Sequence, residues 1–333
     1  MEIVLHIGMG KTGTSSIQQA LSDNAEGLHG QGRLYMGMWF GLAGRQFLGL
    51  AGQHRFFQSD DAAMRAHAER LVARLRILQA ETGIGRFVYS NEEFYGQVRK
   101  MAPFVSALRG LADVRLVAYA RDPREWLPSA YNQWSVFHKN YTGPLRPYNE
   151  MARTLVFVYS GFRLWGETFG DILTVRPFFK SLNVVEDFAR TLGLTLALPA
   201  QRTLERIDPA EGLMRAVYNN RLDGNILPAQ FDAALKGVEL SKSLGIERLV
   251  ETAFDYSQTD AVVAEAAPIF AYIKATFGID LLAGPPPRQA TVDAEDLRNR
   301  ALEHVLQIVM TQADRIRALE QAVGALRAQM AAK

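Results

Sequence analysis

The sequence predicts an α/β protein in which a parallel sheet is covered by helices on both faces and is followed by a long C-terminal helix. Short β-branched runs alternate with stretches of helical spacing, the pattern of a sheet buried on both sides. Three of the four strand candidates end in chemically able residues, Lys11, Glu92 with Glu93, and Arg121. In parallel sheets the carboxyl ends of the strands form the ligand site. From Leu302 onward, apolar residues recur at alternating spacings of three and four. With 333 residues, 48% of them hydrophobic, the chain can bury a full core, which excludes a disordered tail or a disulfide-stapled miniprotein.

The elements follow in order. Residues 3–7 form the first strand, which runs into Gly8-Met9-Gly10-Lys11-Thr12-Gly13 and then into a helix marked by Ile17, Ala20 and Leu21. A second amphipathic helix fits 60–80, where Met64, Ala68, Leu71, Leu75 and Leu78 share one face. Residues 86–90 are the next strand, ending at Asn91-Glu92-Glu93. The strand 114–119 stops at Arg121-Asp122-Pro123, where Asp122 suits a cap and Pro123 the first turn of a helix running to about Trp134. A fourth strand spans 172–175 and is closed by Arg176-Pro177. Residues 181–277 read as mainly helical, with Val185, Phe188, Ala189 and Leu192 on one buried face. The boundaries are then one domain over 1–283, a Pro-rich linker over 284–289 and a heptad helix over 290–333. The heptad seam is Leu302, Val305, Val309, Gln312, Ile316, Leu319, Val323, Leu326 and Met330. It suits either self-association as a homo-oligomer or packing on the chain's own domain, and Arg315 with Glu320 suits an interhelical ion pair.

Composition narrows the chemistry. Lys plus Arg number 37 against 35 Asp plus Glu, so no whole-protein basic field draws in nucleic acid, and any anion site is local. With no cysteine there is no disulfide, thiolate metal site or cysteine nucleophile, and the six histidines are scattered, so no metal site is expected. No apolar run is long enough for a transmembrane segment, and the first residues lack a basic leader, which predicts a soluble cytoplasmic protein.

The glycine loop places backbone N–H groups at a helix N-terminus, where an anion is favoured. The nucleotide-binding P-loop template G-x-x-x-x-G-K-[ST] needs lysine directly after its second glycine. Gly8 and Gly13 keep that spacing, but Thr14 stands in the lysine's place and Lys11 lies inside the loop. A magnesium-dependent P-loop kinase or NTPase therefore fits poorly. The dinucleotide fingerprint fits worse, because Lys11 follows Gly10 directly and only Glu26 lies near the expected acidic position.

The run from His6 to Ser16 resembles the 5′-phosphosulfate loop of sulfotransferases that use 3′-phosphoadenosine 5′-phosphosulfate (PAPS). Arg121-Asp122-Pro123 followed by Ser129 matches that family's R-D-P-x-x-x-x-x-S pattern. The likeness to its bacterial, carbohydrate-type members continues through 165–170, 175–178 and 187–193, and excludes the heptad tail. The resemblance implies a P-loop-NTPase-like parallel sheet and transfer of a sulfuryl group from PAPS to a hydroxyl of a carbohydrate or glycoconjugate. The transfer is an in-line displacement that releases adenosine 3′,5′-bisphosphate (PAP). It further implies that Gly10, Lys11, Thr12, Gly13, Thr14, Ser15 and Ser16 hold the phosphosulfate end and that Arg121 and Ser129 clamp the 3′-phosphate. The same resemblance implies that Lys11 is the leaving-group cation and that Glu92, or else Glu93, is the base that accepts the acceptor's proton.

Elementary chemistry agrees with these roles. Arginine's planar fork takes two phosphate oxygens at once, whereas lysine's compact ammonium suits a single bridging oxygen. Other readings of single residues stay open: Arg121 also suits pairing with Asp122 or Glu125, Glu92 and Glu93 suit a solvated loop, and His54 and His138 are rival bases. Tyr131, Trp134, His138, Lys139 and Tyr141, with Trp39, Phe40, His54 and Arg55, suit either a sugar platform or a partly buried loop core. A scaffold that binds nucleotide without catalysis is a further alternative.

Overall fold

Short runs of β-branched and aromatic residues lie between two helical layers in the computed structural model, which describes residues 1–197, 209–220, 222–234, 249, 252–284 and 293–331. Five such runs form one all-parallel sheet: β1 (Glu2–His6), β2 (Arg33–Tyr35), β3 (Arg86–Ser90), β4 (Asp113–Arg121) and β5 (Leu173–Phe178), in the order β2-β3-β1-β4-β5. The described helices are α1 (Thr14–Asp23), α2 (Ala25–Gly30), α3 (Gly49–Phe57), α4 (Asp61–Thr82), α5 (Glu93–Gly96), α6 (Val98–Leu111), α7 (Pro123–Tyr131), α8 (Tyr148–Leu155), α9 (Ser160–Phe169), α10 (Val184–Leu192), α11 (Pro209–Asn220), α12 (Pro228–Ala234), α13 (Thr259–Glu265), α14 (Ala267–Phe277) and α15 (Ala294–Ala331).

The chain divides into two compact units. The first comprises Met1–Trp126, Val156–Glu205 and Val263–Pro287 and contains the whole sheet. Its strands are apolar on both faces because helices cover both. On one face Val4, Val88, Val117 and Tyr119 meet Ile17, Ala20 and Leu21 of α1 and Val184, Val185, Phe188 and Leu192 of α10. Ile3, Leu5, Phe87, Tyr89 and Leu116 occupy the alternate positions and are fully buried. His6 lies in this core: its Nδ1 is 2.8 Å from the Ser90 hydroxyl, and burial pulls its pKa down to about 3, so the ring is neutral.

Two strand expectations and one helix expectation need correction. The reading of four strands omits β2, whose three residues are too few to show a period of two. The fourth strand is not closed by Arg176-Pro177 but runs through both, since Pro177 sits on the sheet's edge, where a missing N–H costs nothing. Helical geometry beyond β4 changes before Trp134: α7 ends at Tyr131 and a π-helical stretch, Asn132–Phe137, follows.

The elements described in the second unit, Leu127–Leu155, Arg206–Val262 and Arg288–Lys333, are helices. Lys139 is fully buried there, with Nζ donating to the carbonyls of Gly143 at 2.5 Å, Asn219 at 3.1 Å and Leu222. All three of its donors are thereby used. The α15 helix packs on α11 through Leu297 and Ala301, against Leu213, Val217 and Phe254. Of the expected linker, 285–289 lie outside the described residues. No helix among the described residues is long and apolar enough to cross a membrane.

Candidate functional site

Strand β1 lies between β3 and β4, and the chain leaves it toward β2 but leaves β4 toward β5. Adjacent strands whose connections depart in opposite directions open a crevice at their carboxyl ends. The glycine loop follows β1 at that place, and Arg121 is the last residue of β4.

Within the loop, Gly8, Lys11 and Gly13 have φ of 40°, 67° and 87°. Lys11 is the only non-glycine among the described residues with positive φ. Left-handed residues interleaved with ordinary ones turn successive N–H groups toward one side and form an anion-binding concavity. A Cβ on Gly8 would come within 2.8 Å of Thr14 Oγ1, and one on Gly13 within 2.7 Å of Val184 Cγ1. Thr12 is buried and donates its hydroxyl to the Met9 carbonyl at 2.5 Å, so it braces the loop from inside. Thr14, 4% exposed, begins α1, and its buried Oγ1 has no hydrogen-bond partner among the described residues. Ser15 is exposed and Ser16 half-buried in the same first turn, which carries no acidic side chain to compete with an anion.

Two side chains from the β4–α7 segment fasten this loop. Trp126, fully buried, donates Nε1–H to the Gly10 carbonyl at 2.7 Å, and Arg121 Nη1 donates to the Lys11 carbonyl at 3.2 Å. In a trans peptide the N–H points opposite to the preceding C=O, so the amides of Lys11 and Thr12 face away from these anchors. Arg121 Nη2 is 3.2 Å from Glu125 Oε2, while its buried Nε has no hydrogen-bond partner among the described residues. The guanidinium also lies 5.4 Å above the Phe178 ring. Glu125 is bonded on its other oxygen by Lys180 at 2.9 Å. Burial works to raise its pKa, but the bonds from Lys180 and Arg121 prevail and hold the carboxyl below its ordinary range.

Glu92 follows β3, with its Cα 3.4 Å from where a Gly8 Cβ would sit. Gln18 of α1 orients it, donating to Glu92 Oε2 at 3.2 Å and to the Ser90 carbonyl at 2.9 Å. Tyr35 on β2 senses the same carboxylate: burial and the charge of Glu92 push its hydroxyl up to about 12. Glu93 turns to solvent, its N–H bonded to Asn91 Oδ1 at 3.0 Å. Partial burial and the neighbouring Glu92 raise its pKa, and His54, exposed on α3, partly offsets them. Asn91 ties this segment to α3 through Gln53 Oε1 at 3.0 Å.

Lys11, Thr14, Glu92 and Arg121 are therefore brought to one sheet end in the first unit. Ser129 is half-buried on α7 and belongs to the second unit, as does His138. Of the suggested sugar platform, Lys139 and Tyr131 are fully buried, with the Tyr131 hydroxyl given to the Arg146 carbonyl, so these two belong to a loop core. Sequence reasoning missed Gln18, Tyr35, Trp126 and Lys180. Gln18 was findable, since it stands one turn after Thr14 on the same helical face. The other three carry no local signal.

Fold and site together define an α/β protein with a glycine loop after its central strand, joined to an arginine from the next strand and a carboxylate from the one on the other side. Comparisons with protein-family models, curated proteins and solved structures give no match to this chain.

Proposed function

We propose that the protein is a PAPS-dependent sulfotransferase with a P-loop-like phosphosulfate site, acting on a hydroxyl of a carbohydrate or glycoconjugate. The observation that carries the reading is the bond from Arg121 to the Lys11 carbonyl, which joins two motifs 110 residues apart. A cofactor with phosphate groups at both ends needs cations and N–H donors converging from two directions. The donor set suits it: the left-handed loop, the unpartnered Thr14 Oγ1 and Arg121 Nε, and an α1 first turn without acid.

When bound, PAPS supplies the sulfuryl group. Thr14, Ser15, Ser16 and the loop amides from Gly10 to Gly13 bind the phosphosulfate end, and Arg121 binds the 3′-phosphate. Lys11 neutralises charge on the departing phosphate oxygen. Glu92, oriented by Gln18, accepts the acceptor hydroxyl's proton at its carboxylate. Glu93 stands next to it as the alternative base, and its raised pKa suits a proton-sharing neighbour.

Calorimetric titration with PAP, and separately with ATP plus magnesium, on wild type and Arg121→Ala tests the reading. Metal-free binding of PAP, weakened at least tenfold in the variant, is the expected result. Binding of magnesium·ATP alone would replace the reading with a P-loop kinase or NTPase. Binding of PAP without sulfation of any sugar acceptor, unchanged by Glu92→Gln, would favour the non-catalytic scaffold.

A further inference from the structure

We infer that α15 joins two copies of this chain as a parallel, in-register, two-stranded coiled coil. The juxtaposition that carries it is a heptad seam left facing solvent on a helix whose adjacent flank is already occupied. Leu297 and Ala301 pack on α11, and His304 and Ile308 line a groove with Met214 and Phe231 of the same unit. The apolar seam residues lie on another face, while Gln312 of the seam and Arg315 at its margin also line that groove. Leu302, Val305, Val309, Ile316, Leu319, Val323 and Leu326 are 43–65% exposed. A charged, solvent-bridging helix would not repeat apolar residues at 3.5-residue intervals, and a helix packed on a globular surface would repeat them at 3.6.

A second copy is the occupant that the pattern itself describes. Taking Leu302 as position a, the a series is Leu302, Val309, Ile316, Val323 and Met330, and the d series is Val305, Gln312, Leu319 and Leu326. From Val309 to Leu326, β-branched residues at a accompany leucine at two of three d positions, the combination that favours two parallel strands over three. Arg315 then falls at g and Glu320 at the following e, the two positions that meet between parallel helices in register. Each dimer gains that ion pair twice, whereas an antiparallel arrangement pairs g with g and sets Arg315 outside the reach of Glu320. Gln312, half-buried and the only polar seam residue, meets its own copy in this register alone, which makes it a register marker. The seam from Leu302 to Met330 is four heptads, about 40 Å of helix at 1.5 Å per residue. That is the length at which such a repeat stands as a coiled coil.

The full chain in analytical ultracentrifugation is expected at twice its 37.1 kDa mass. Ile316→Asp with Val323→Asp, both exposed in the single chain, is expected to sediment at the single-chain mass with unchanged circular dichroism melting of the sheet unit. Arg315→Glu is expected to weaken the dimer at least tenfold, and Arg315→Glu with Glu320→Arg to restore it. Because the chain has no cysteine, Leu319→Cys gives a single thiol at a d position. Under mild oxidation a parallel in-register dimer links Cys to Cys in high yield. A single-chain or trimeric mass for wild type, or failure of that variant to cross-link while dimeric, would overturn the inference.

Discussion

Lys11 holds a backbone conformation that disfavours any residue with a Cβ by roughly 1–2 kcal/mol, and it does so within a loop where glycine is the ordinary solution. A side chain kept in spite of that strain points to chemistry rather than to folding. Lys11→Gly is accordingly expected to raise resistance to urea by about 1 kcal/mol while lowering turnover on the order of 10² to 10³, and denaturation curves with initial rates check both. His6 makes a different prediction. Its folded pKa, about 3, lies below the ordinary 6.5, so between those values the unfolded chain binds the extra proton. The stability that its neutral state confers is complete above about pH 6.5 and is lost as pH falls toward 3, roughly 2 kcal/mol of it between pH 7 and 5. Urea titrations across that interval should show the slope in wild type and a flatter one in His6→Gln. Among site residues, Lys11, Glu92 and Arg121 were readable because each stands where a strand stops. Trp126 was not, because an indole aimed at a carbonyl 116 positions earlier leaves no local pattern.

At the scale of elements, the β1–loop–α1 unit is held from outside by the segment that follows β4. Trp126→Phe removes one buried donor and leaves the Gly10 carbonyl unsatisfied, at a cost of about 1–3 kcal/mol. The variant should fold, with a lowered melting temperature and PAP binding weakened several-fold, as calorimetry would register. Gly13→Ala should be harsher, since its Cβ would meet Val184 and the Phe178 ring at a φ of 87°. Loss of soluble protein or a stability drop of 1–3 kcal/mol is expected, where a fully tolerant Gly13→Ala would show the loop to be plastic. The α4 helix was readable to within two residues from its apolar face, of which Met64, Ala68, Leu71 and Leu75 are buried, and its ends are set by Asp60, which caps it through the Ala63 N–H, and Gly83, in a left-handed turn. β2 was hidden by its brevity, and the true length of β5 by a proline tolerable only at an edge.

At the scale of the whole molecule, the alternation of strands and helices foretold an all-parallel sheet, yet not its strand order, because neighbours in a parallel sheet are chosen by packing between distant segments. The helices of the second unit were legible in part, as the segment running to about Trp134, the helical spacing within 181–277 and the heptad helix from 290, but their separation from the sheet unit was not, since nothing local separates a helix that covers a sheet from one that packs on other helices. The central place of β1 also bears on how the protein acquires its structure. Glu2 pairs with Arg86 on one side and with Asp113 on the other, so the strand that carries the glycine loop gains neither neighbour until chain far beyond it has been synthesised. Closing such long segments before any sheet contact rewards them makes refolding slow, in the millisecond-to-second range rather than microseconds. Lys11 thus leaves the ribosome long before Arg121, and the nascent chain carries a glycine loop that the Arg121 guanidinium cannot fasten until β4 has docked.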